Sequence, residues 1–567
     1  MDDNKYAKYN RGPNTGSAGA AASVPLIVTL SIIGALVLSM VVVTSITLWN
    51  AQQTNDRLNT VLPPTALLVG SCPTAESRRQ QAYVTRANVA FGQYARSVPC
   101  QVNNGDEQSF PTFIGQFTKG MLHDSLGIVS PSYYNSLLTA VSNPAPSNFA
   151  AILRAPNATF KFVNPQASLA TDLVGSNSLA LIVPPAPKFN SAEQAGEYIE
   201  NAWMSICRDV PFDQYGLEPL TIAAINELNT VTDFKGPLPV TAANLFRGKY
   251  SNTGPYISQF MYLNVSYGVN QLSQKIDCPI AGVNFMTDWG EFLRVQNGET
   301  PAASLTFNGT ARYLICGRDI SHYVHYDMLF QAYHTAAMIL LGLNAPYNPS
   351  NPYVLSANQV GFGTFGGPMV STFVTEIGTR CLHGAWASKW LVHRRLRPEA
   401  YAGFVDRTKK GFATFPVHSQ ALNSNAATYL NTTYNSYLLP QAFPEGSPLH
   451  PSYPAGHATV GACCVTILKA LFDGSWNIPS PVQPDSTGLN LIPYVGSLTV
   501  EHELNKLATN IGIGRNIAGV HWRSDLQESQ LFGEQIAIAT LRDYKNTFNE
   551  GSITWQFKAF DGTVLYV

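Results

Sequence analysis

The stretch Pro448-Leu-His-Pro-Ser-Tyr-Pro-Ala-Gly-His457 leads directly into an apolar run that begins at Ala458. Its three prolines each fix one φ angle, and Gly456 allows the backbone to approach a ligand closely. The apolar run predicts a buried helix that begins near His457. The first N–H groups of a helix have no carbonyl partner within it, so this helix would point free donors at the loop. We therefore interpret the loop as one wall of a site for a tetrahedral oxyanion.

The overall composition allows a large core and limits the kinds of partner. The chain has 567 residues, of which 45% are hydrophobic and 13% are charged, and this balance is typical of a globular protein. The formal net charge is −1, which gives no general attraction to nucleic acid or to anionic membranes. We expect no nucleic-acid partner, and any anion specificity must come from a local cluster of charges.

The eight cysteines do not form a CxxC pair, so a zinc site is not predicted. Disulfides are possible in an oxidising compartment, but the spacing does not determine their pairing. Cys463 and Cys464 lie in the apolar run, where we expect them to be small buried hydrophobic side chains.

The N-terminal region contains a stretch that is long enough to cross a bilayer. No charged residue occurs between Arg11 and Asp56, and residues 24–49 exceed the roughly 20 apolar residues that one crossing needs. A cleaved signal peptide is the alternative, although its apolar region would be shorter and nearer the terminus. Lys5 and Lys8, with Arg11, predict that the short N-terminal tail is cytoplasmic.

These features predict four regions and a location. The regions are a cytoplasmic tail at 1–17, a transmembrane signal-anchor at 18–49, a linker at 50–75 and one helical domain at 76–567. The domain would lie in an extracellular, periplasmic or lumenal compartment, as a single-pass protein attached through residues 24–49. Four N-x-S/T sequons are compatible with export of a glycoprotein: Asn157, Asn264, Asn308 and Asn431.

Apolar periodicity predicts a mainly α-helical domain with minor β-hairpins. Helices are expected at 191–207, 286–295, 323–343, 370–396, 497–513 and 524–544, and a terminal hairpin at 551–567. We expect Glu193, Glu197 and Glu200 to share one solvated helix face. Asp327 lies inside the expected helix 323–343, either as a surface carboxylate or as a buried one paired to an arginine.

A basic cluster precedes Pro398. Four residues fall on one stripe of the expected helix: Trp386, Lys389, His393 and Arg397. Arg394 and Arg395 fall away from this stripe, so we expect them to be solvated or structural. A basic run alone is usually a solvated helix face, but Lys389 and Arg397 can point together at one anion.

A third cluster lies between the last two expected helices. Arg515 would add a positive charge to Lys389 and Arg397, and guanidinium groups bind tetrahedral oxygens in pairs. A neutral His521 can bond to the central atom of an oxyanion, and His457 can move protons at a bound oxygen. The nearby carboxylates, Glu399 and Asp525, have other basic neighbours, and Asp525 can form a local ion pair with Arg523.

The three clusters together resemble a signature that vanadium-dependent haloperoxidases share with type 2 phosphatidic acid phosphatase-like acid phosphatases. The matching elements are Lys389 with Arg397-Pro398, then Pro454-Ala-Gly-His457, then Arg515 with His521. The longer strings at 389–401, 448–459 and 514–525 resemble the bromoperoxidases in particular, and the resemblance covers the motif-bearing core at about 315–545. It implies a large helical-bundle domain of the vanadium haloperoxidase type.

The resemblance also implies a cofactor and roles for residues. Vanadate would be held by four groups: Lys389, Arg397, Arg515 and the backbone N–H of Gly456. His521 would be the metal ligand, and His457 would hydrogen-bond a vanadate oxygen and act as acid and base when hydrogen peroxide reacts. Trp386 and His450 would lie at the halide site, which favours bromide over chloride, with hypohalous acid as the product. Members of the family assemble, which implies a homodimer or a larger homo-oligomer.

One position departs from this pattern, since Ala455 stands where the family usually has serine. The loss of one hydrogen bond to a charged group is worth about 1.5–3 kcal/mol, which predicts roughly 10–100-fold weaker cofactor binding. Two alternatives remain open. One is an acid phosphatase with His521 as nucleophile and His457 as acid, and the other is a membrane-anchored structural or surface protein on an inactive haloperoxidase scaffold.

Overall fold

The computed structural model describes residues 75–250 and 253–567. The predicted tail and membrane segment, and all of the predicted linker except residue 75, lie outside the described residues. The boundaries between them therefore stay predictions. Within the described ranges, no helix is both long and apolar enough to cross a bilayer. Residues 89–567 belong to one compact unit, and the second unit, 6–88, is described only over the first part of one helix.

The described chain is mainly helical. The α-helices are α1 (Ala75–Tyr94), α2 (Asp106–Ser109), α3 (Pro131–Ser142), α4 (Pro146–Ala150), α5 (Ala192–Ile206), α6 (Pro219–Leu228), α7 (Trp289–Gln296), α8 (Gly317–Tyr326), α9 (Gln331–Gly342), α10 (Gly367–Ala387), α11 (Pro398–Lys409), α12 (Ser419–Leu422), α13 (Asn425–Tyr434), α14 (Gly456–Leu471), α15 (Val500–Ile517) and α16 (Arg523–Tyr544). Short 3-10 turns occur at Pro165–Leu169, Ser178–Ala180, Phe212–Gln214, Gln259–Met261 and Lys545–Thr547.

The strands form small antiparallel pairs that do not merge into a larger sheet within the described residues. They are β1 (Val265–Tyr267) with β2 (Asn270–Leu272), β3 (Ile276–Pro279) with β4 (Phe307–Arg312), β5 (Val482–Pro484) with β6 (Leu491–Pro493), and β7 (Gln556–Lys558) with β8 (Val564–Tyr566). In the last pair Phe557 lies opposite Leu565, which confirms the predicted terminal hairpin. The mainly helical fold class is likewise confirmed.

Helix α14 is the centre of the bundle. Every residue of α14 is buried, and the helix packs against α10, α15 and α16. The contact with α16 requires glycine, because a Cβ atom on Gly533 would lie 2.3 Å from the carbonyl oxygen of Thr459. The predicted buried helix near His457 is therefore confirmed, and it has neighbours on all sides.

A disulfide joins Cys381 of α10 to Cys463 of α14. Both cysteines are fully buried. The expectation of a simple buried side chain was wrong for Cys463, whereas Cys464 is a buried free thiol. The disulfide links the helix that precedes the Lys389 cluster to the helix that begins at Gly456.

The expected single helix at 323–343 is wrong. The chain forms α8 and α9 and breaks between them at Asp327, whose ψ angle of 148° is extended. The break turns the Asp327 carboxylate toward His457, with which it forms a hydrogen bond. This interaction across the fold overrides an apolar pattern that favours a continuous helix.

The expected helix at 370–396 is also shorter than predicted. Helix α10 ends at Ala387, a π-helical turn follows at Ser388–His393, and Arg394 adopts a left-handed φ of 42°. Arg394 then pairs with Glu107. Lys389 and Arg397 therefore do not share one helix face. Both side chains nevertheless reach the same loop, at residues 450–452.

Three buried ion pairs connect α5 to α16, one of them directly and two of them through Arg395. Glu197 and Glu200, expected on a solvated face, are buried. Arg395 bonds Glu197 at 2.6 Å and Asp525 at 2.8 Å, which makes it structural, as predicted. Arg523 binds Glu200, so the expected local pair between Arg523 and Asp525 is wrong. The glutamates are buried because these arginines neutralise them.

The disulfide gives a testable prediction for stability. Replacing Cys381 and Cys463 together by alanine should lower the free energy of unfolding by about 2–4 kcal/mol, because the bond closes a loop of 82 residues in the unfolded chain. Urea unfolding of the oxidised proteins measures the change. Cys464→Ala is the matched control with a much smaller expected effect, and equal losses in both variants would contradict the prediction.

Candidate active site

The loop before α14 and the start of that helix form one wall of the site. Ala455 is the N-cap residue, and its N–H donates to the hydroxyl of Ser529 at 2.7 Å. A Cβ atom on Gly456 would lie 3.3 Å from the ring of Trp386, so glycine allows this close packing. As the first residues of α14, Gly456 and His457 present N–H groups that have no carbonyl partner in the helix.

Lys389 is a fully buried cation beside this wall. Its ammonium group donates to the carbonyl oxygens of Pro451 and Ser452 at 2.6 and 2.7 Å. Burial lowers the pKa of Lys389 well below its usual value, and the charge of Arg397 lowers it further. The π-helical turn thus delivers a positive charge directly to the proline-rich loop.

Arg397 connects the loop to the segment that follows α15. Its Nη1 donates to the carbonyl oxygen of Val520 at 2.7 Å and to Nε2 of His521 at 2.9 Å. Its Nε and Nη2 donate to the carbonyl oxygen of His450 at 3.1 and 2.9 Å. Arg515, in the last turn of α15, donates to the carbonyl oxygen of Val324 at 2.9 Å and is the third buried cation.

His521 is held in a defined orientation. Its Nδ1 lies 2.7 Å from the Asp525 carboxylate, which also accepts from the hydroxyl of Ser452. Burial lowers the pKa of His521 well below 6.5, and Arg397 and Lys389 lower it further. The imidazole is therefore neutral, with its proton on Nδ1 toward the carboxylate. The lone pair of Nε2 faces the cations, as a metal-binding imidazole requires.

His457 is paired with an acid that is distant in sequence. Its Nε2 lies 3.0 Å from Oδ1 of Asp327. Burial lowers the pKa of His457 to about 4, against the opposing effect of Asp327. The pKa of Asp327 lies below its usual value, because His457 and Arg515 outweigh the effect of burial. At neutral pH the pair is a neutral imidazole and a carboxylate, which allows His457 to take up a proton.

The rings of His450 and Trp386 pack against each other at the side of the site, with centroids 4.8 Å apart and planes tilted by 37°. The indole N–H of Trp386 donates to the carbonyl oxygen of Val163 at 3.0 Å, which fixes its ring. Nδ1 of His450 lies 3.0 Å from Nη2 of Arg397. Burial lowers the pKa of His450 well below 6.5, and Arg397 and Lys389 reinforce that effect, so this imidazole is also neutral.

The donor set fits a tetrahedral oxyanion such as vanadate. The carbonyl oxygens and neutral imidazoles around Lys389 and Arg397 solvate these cations without neutralising them. Glu399 bonds Lys119 at 2.6 Å, and Asp525 bonds Arg395, so both carboxylates are directed to other cations, as predicted. A buried cluster of like charges needs an anion, and the Nε2 lone pair adds one ligand for a central metal.

The structure brings all the predicted site residues to one region from three segments of the chain: Trp386, Lys389, Arg397, His450, Gly456, His457, Arg515 and His521. Two important partners were not predicted. Asp525 follows His521 by four residues, one helical turn, and that spacing is a signal that sequence reasoning could have used. Asp327 lies 130 residues before His457, and no local pattern connects them.

Comparison with known proteins identifies the family of the chain. Residues 381–550 match the family model described as the VCPO second helical-bundle domain. The chain belongs to the vanadium-dependent haloperoxidase family, as the sequence motifs predicted.

Three relatives extend over most of the chain. It is 33% identical over 592 aligned positions to the vanadium-dependent bromoperoxidase of Corallina officinalis, with 87% of this chain and 99% of that protein covered. It is 34% identical over 532 positions to the bromoperoxidase of Ascophyllum nodosum, with 87% and 93% covered. The homohexameric structure of the second vanadate-dependent bromoperoxidase of Ascophyllum nodosum has a TM-score of 0.83 at 28% identity, with 90% and 95% covered.

The neutral buried histidines predict an acid-labile fold. A histidine whose pKa is lowered on folding binds its proton only after unfolding, so its contribution to stability is complete above about pH 6.5 and is lost as the pH falls. For His457 this contribution is lost between about pH 6.5 and pH 4. Each such histidine should contribute roughly 1.4 kcal/mol of destabilisation per pH unit over its range. The midpoint of urea unfolding between pH 7.5 and 4 measures this.

His393→Phe is the control variant, because it removes one buried histidine without removing a hydrogen bond. The ring nitrogens of His393 have no hydrogen-bond partner in the described structure. Burial lowers the pKa of His393 to about 3, so the variant should lose stability less steeply on acidification. A midpoint that does not change between pH 7 and 4 would contradict neutral buried histidines.

Proposed function

We propose that this protein is a vanadate-dependent haloperoxidase that oxidises bromide with hydrogen peroxide to hypobromous acid. The balance is one peroxide, one bromide and one proton to one hypobromous acid and one water. Membership of the haloperoxidase family supports an enzyme of this kind, and the halide and the residue roles are our proposal. The observation that carries it is His521, whose Nδ1 is bound to Asp525 while its Nε2 faces buried cations.

Binding of the cofactor would rest on residues of three segments. Lys389, Arg397 and Arg515, together with the N–H of Gly456, would hold vanadate oxygens, and Nε2 of His521 would bind the metal. Bound vanadate would supply a Lewis acid that activates hydrogen peroxide at a constant oxidation state of the metal. The buried positions of these cations strengthen their attraction for an anion, because water screens them little.

His457 would move the proton in this reaction. It is neutral at working pH because burial lowers its pKa to about 4, so it can accept the proton that hydrogen peroxide loses. The Asp327 carboxylate, 3.0 Å away, would stabilise the imidazolium that forms. The same proton is then available for the oxygen that leaves as water, so His457 acts as base and as acid.

The halide would approach beside Trp386 and His450. These two packed rings would form an apolar surface, and the adjacent guanidinium of Arg397 would supply positive charge. A large polarisable anion such as bromide suits this combination better than chloride, which is more strongly hydrated.

We also propose a homo-oligomer that lies outside the cytoplasm and is attached through residues 24–49. The relative from Ascophyllum nodosum is homohexameric, which supports assembly. A disulfide between Cys381 and Cys463 is usual in oxidising compartments, and three of the sequons are exposed: Asn157, Asn264 and Asn308. Light scattering tests the oligomeric state, and protease protection in membrane vesicles tests the location.

The central test is vanadium content after incubation with orthovanadate, together with bromination of monochlorodimedone. Wild-type protein should bind vanadium and brominate, and His521→Ala should lose both. Ala455→Ser should bind vanadate roughly 10–100-fold more tightly, since the added hydroxyl can donate to the charged oxyanion. The structure favours this change because Ala455 is an N-cap position, where serine is preferred.

Ala470→Ser, near the other end of α14, is the matched control and should leave vanadate affinity unchanged. Phosphatase activity that vanadate inhibits, without bromination, would replace the proposal with the phosphatase alternative. A folded protein that binds no vanadium even as Ala455→Ser would favour the inactive scaffold.

A further inference from the structure

Lys119 is a buried cation next to the site that the mechanism above does not use. It lies between helices α2 and α3 and is only 3% exposed. Its ammonium group donates to Oε1 of Glu399 and to the carbonyl oxygen of Glu445, both at 2.6 Å. It therefore joins the start of α11 to the beginning of the loop that carries His450.

Glu399 is the centre of this contact. Its Oε1 also accepts from the side-chain amide of Gln296 at 2.9 Å and from the hydroxyl of Ser447 at 2.7 Å. Its Oε2 accepts from the backbone N–H of Ser447 at 2.8 Å. A fully buried carboxylate thus uses both oxygens to fix the loop at Ser447.

The same loop is fixed a second time, three residues later. The carbonyl oxygen of His450 accepts from Nε and Nη2 of Arg397, and Arg397 lies two residues before Glu399. One short segment therefore holds the loop at two points, through a cation at His450 and through a carboxylate at Ser447. A shift at Ser447 would move the carbonyl oxygen that orients the guanidinium of Arg397.

The negative charge of Glu399 is unfavourable next to an oxyanion site, and Lys119 compensates it. A buried carboxylate only two residues after Arg397 in the chain can compete with a bound oxyanion for the same guanidinium. The ion pair with Lys119 occupies that carboxylate. Burial lowers the pKa of Lys119 and Glu399 opposes that effect, while the charge of Arg397, which repels Lys119, lowers the pKa further.

We propose that Lys119 is a positioning residue of the oxyanion site, which holds the Glu399 carboxylate on the loop at Ser447 and away from Arg397. The proposal rests on the proposed vanadate site. It assigns a role at that site to a residue 280 positions before its partner in the chain. Lys119 acts through Glu399 and the loop, without a contact to the oxyanion.

A double-mutant cycle tests the proposal, with vanadate affinity measured by equilibrium dialysis. Lys119→Met should weaken vanadate binding about tenfold or more, because a nearby opposite charge changes an equilibrium by that amount. Lys119→Met combined with Glu399→Gln should recover most of the affinity, since it removes the competing charge. Lys119→Arg keeps the charge and should also retain affinity.

Lys506→Met is the matched control for loss of a buried lysine. Lys506 pairs with Glu503 at 2.7 Å and both are buried, but the pair lies near the start of α15, three helical turns before Arg515. It should lower the midpoint of thermal unfolding and leave vanadate affinity unchanged. The bromide KM and kcat of Lys506→Met at saturating vanadate should also stay close to wild type.

The outcomes separate the two claims. Wild-type protein that binds vanadate, with Lys119→Met binding equally well, would overturn the role of Lys119 alone. A loss in Lys119→Met that the Glu399→Gln change fails to restore, while Lys119→Arg is also impaired, would show a purely structural role and overturn it too. Wild-type protein that does not bind vanadate would overturn the proposed function, and this inference with it.

Discussion

The burial of three like charges around one point is the constraint on which the rest of the site depends. Lys389, Arg397 and Arg515 are each at most 3% exposed, and burial of charges without compensation costs several kcal/mol for each ion. Carbonyl oxygens of the proline-rich loop and neutral imidazoles solvate them in part. Glu399 and Asp525 bind other cations, and Asp327 bonds His457, so the arrangement is most stable when an anion completes it.

The scaffold explains how separate segments reach this point. The fully buried helix α14 places its N-terminus at the site, and the disulfide from Cys463 to Cys381 holds α10 beside it. Arg395 ties α5 to the Asp525 carboxylate that orients His521. The same buried ion pairs thus stabilise the fold and fix the orientation of His521.

Much of the site could be predicted from the sequence, because three short motifs carry it, and the helical fold class followed from apolar periodicity. The features that could not be predicted from the sequence depend on interactions between distant segments. The break at Asp327 and the partners of Glu197 and Lys119 depend on residues that lie more than 100 positions away. Local patterns favoured a continuous helix and a solvated glutamate face, and tertiary ion pairs and hydrogen bonds overrode both.

The most direct measurement is an anomalous difference map at the vanadium absorption edge from crystals soaked in orthovanadate. The account predicts a single strong peak bonded to Nε2 of His521 and surrounded by Lys389, Arg397 and Arg515. A peak bonded to a different residue, or no peak at vanadate concentrations that saturate the relatives, would contradict the claim that these buried cations form an oxyanion site.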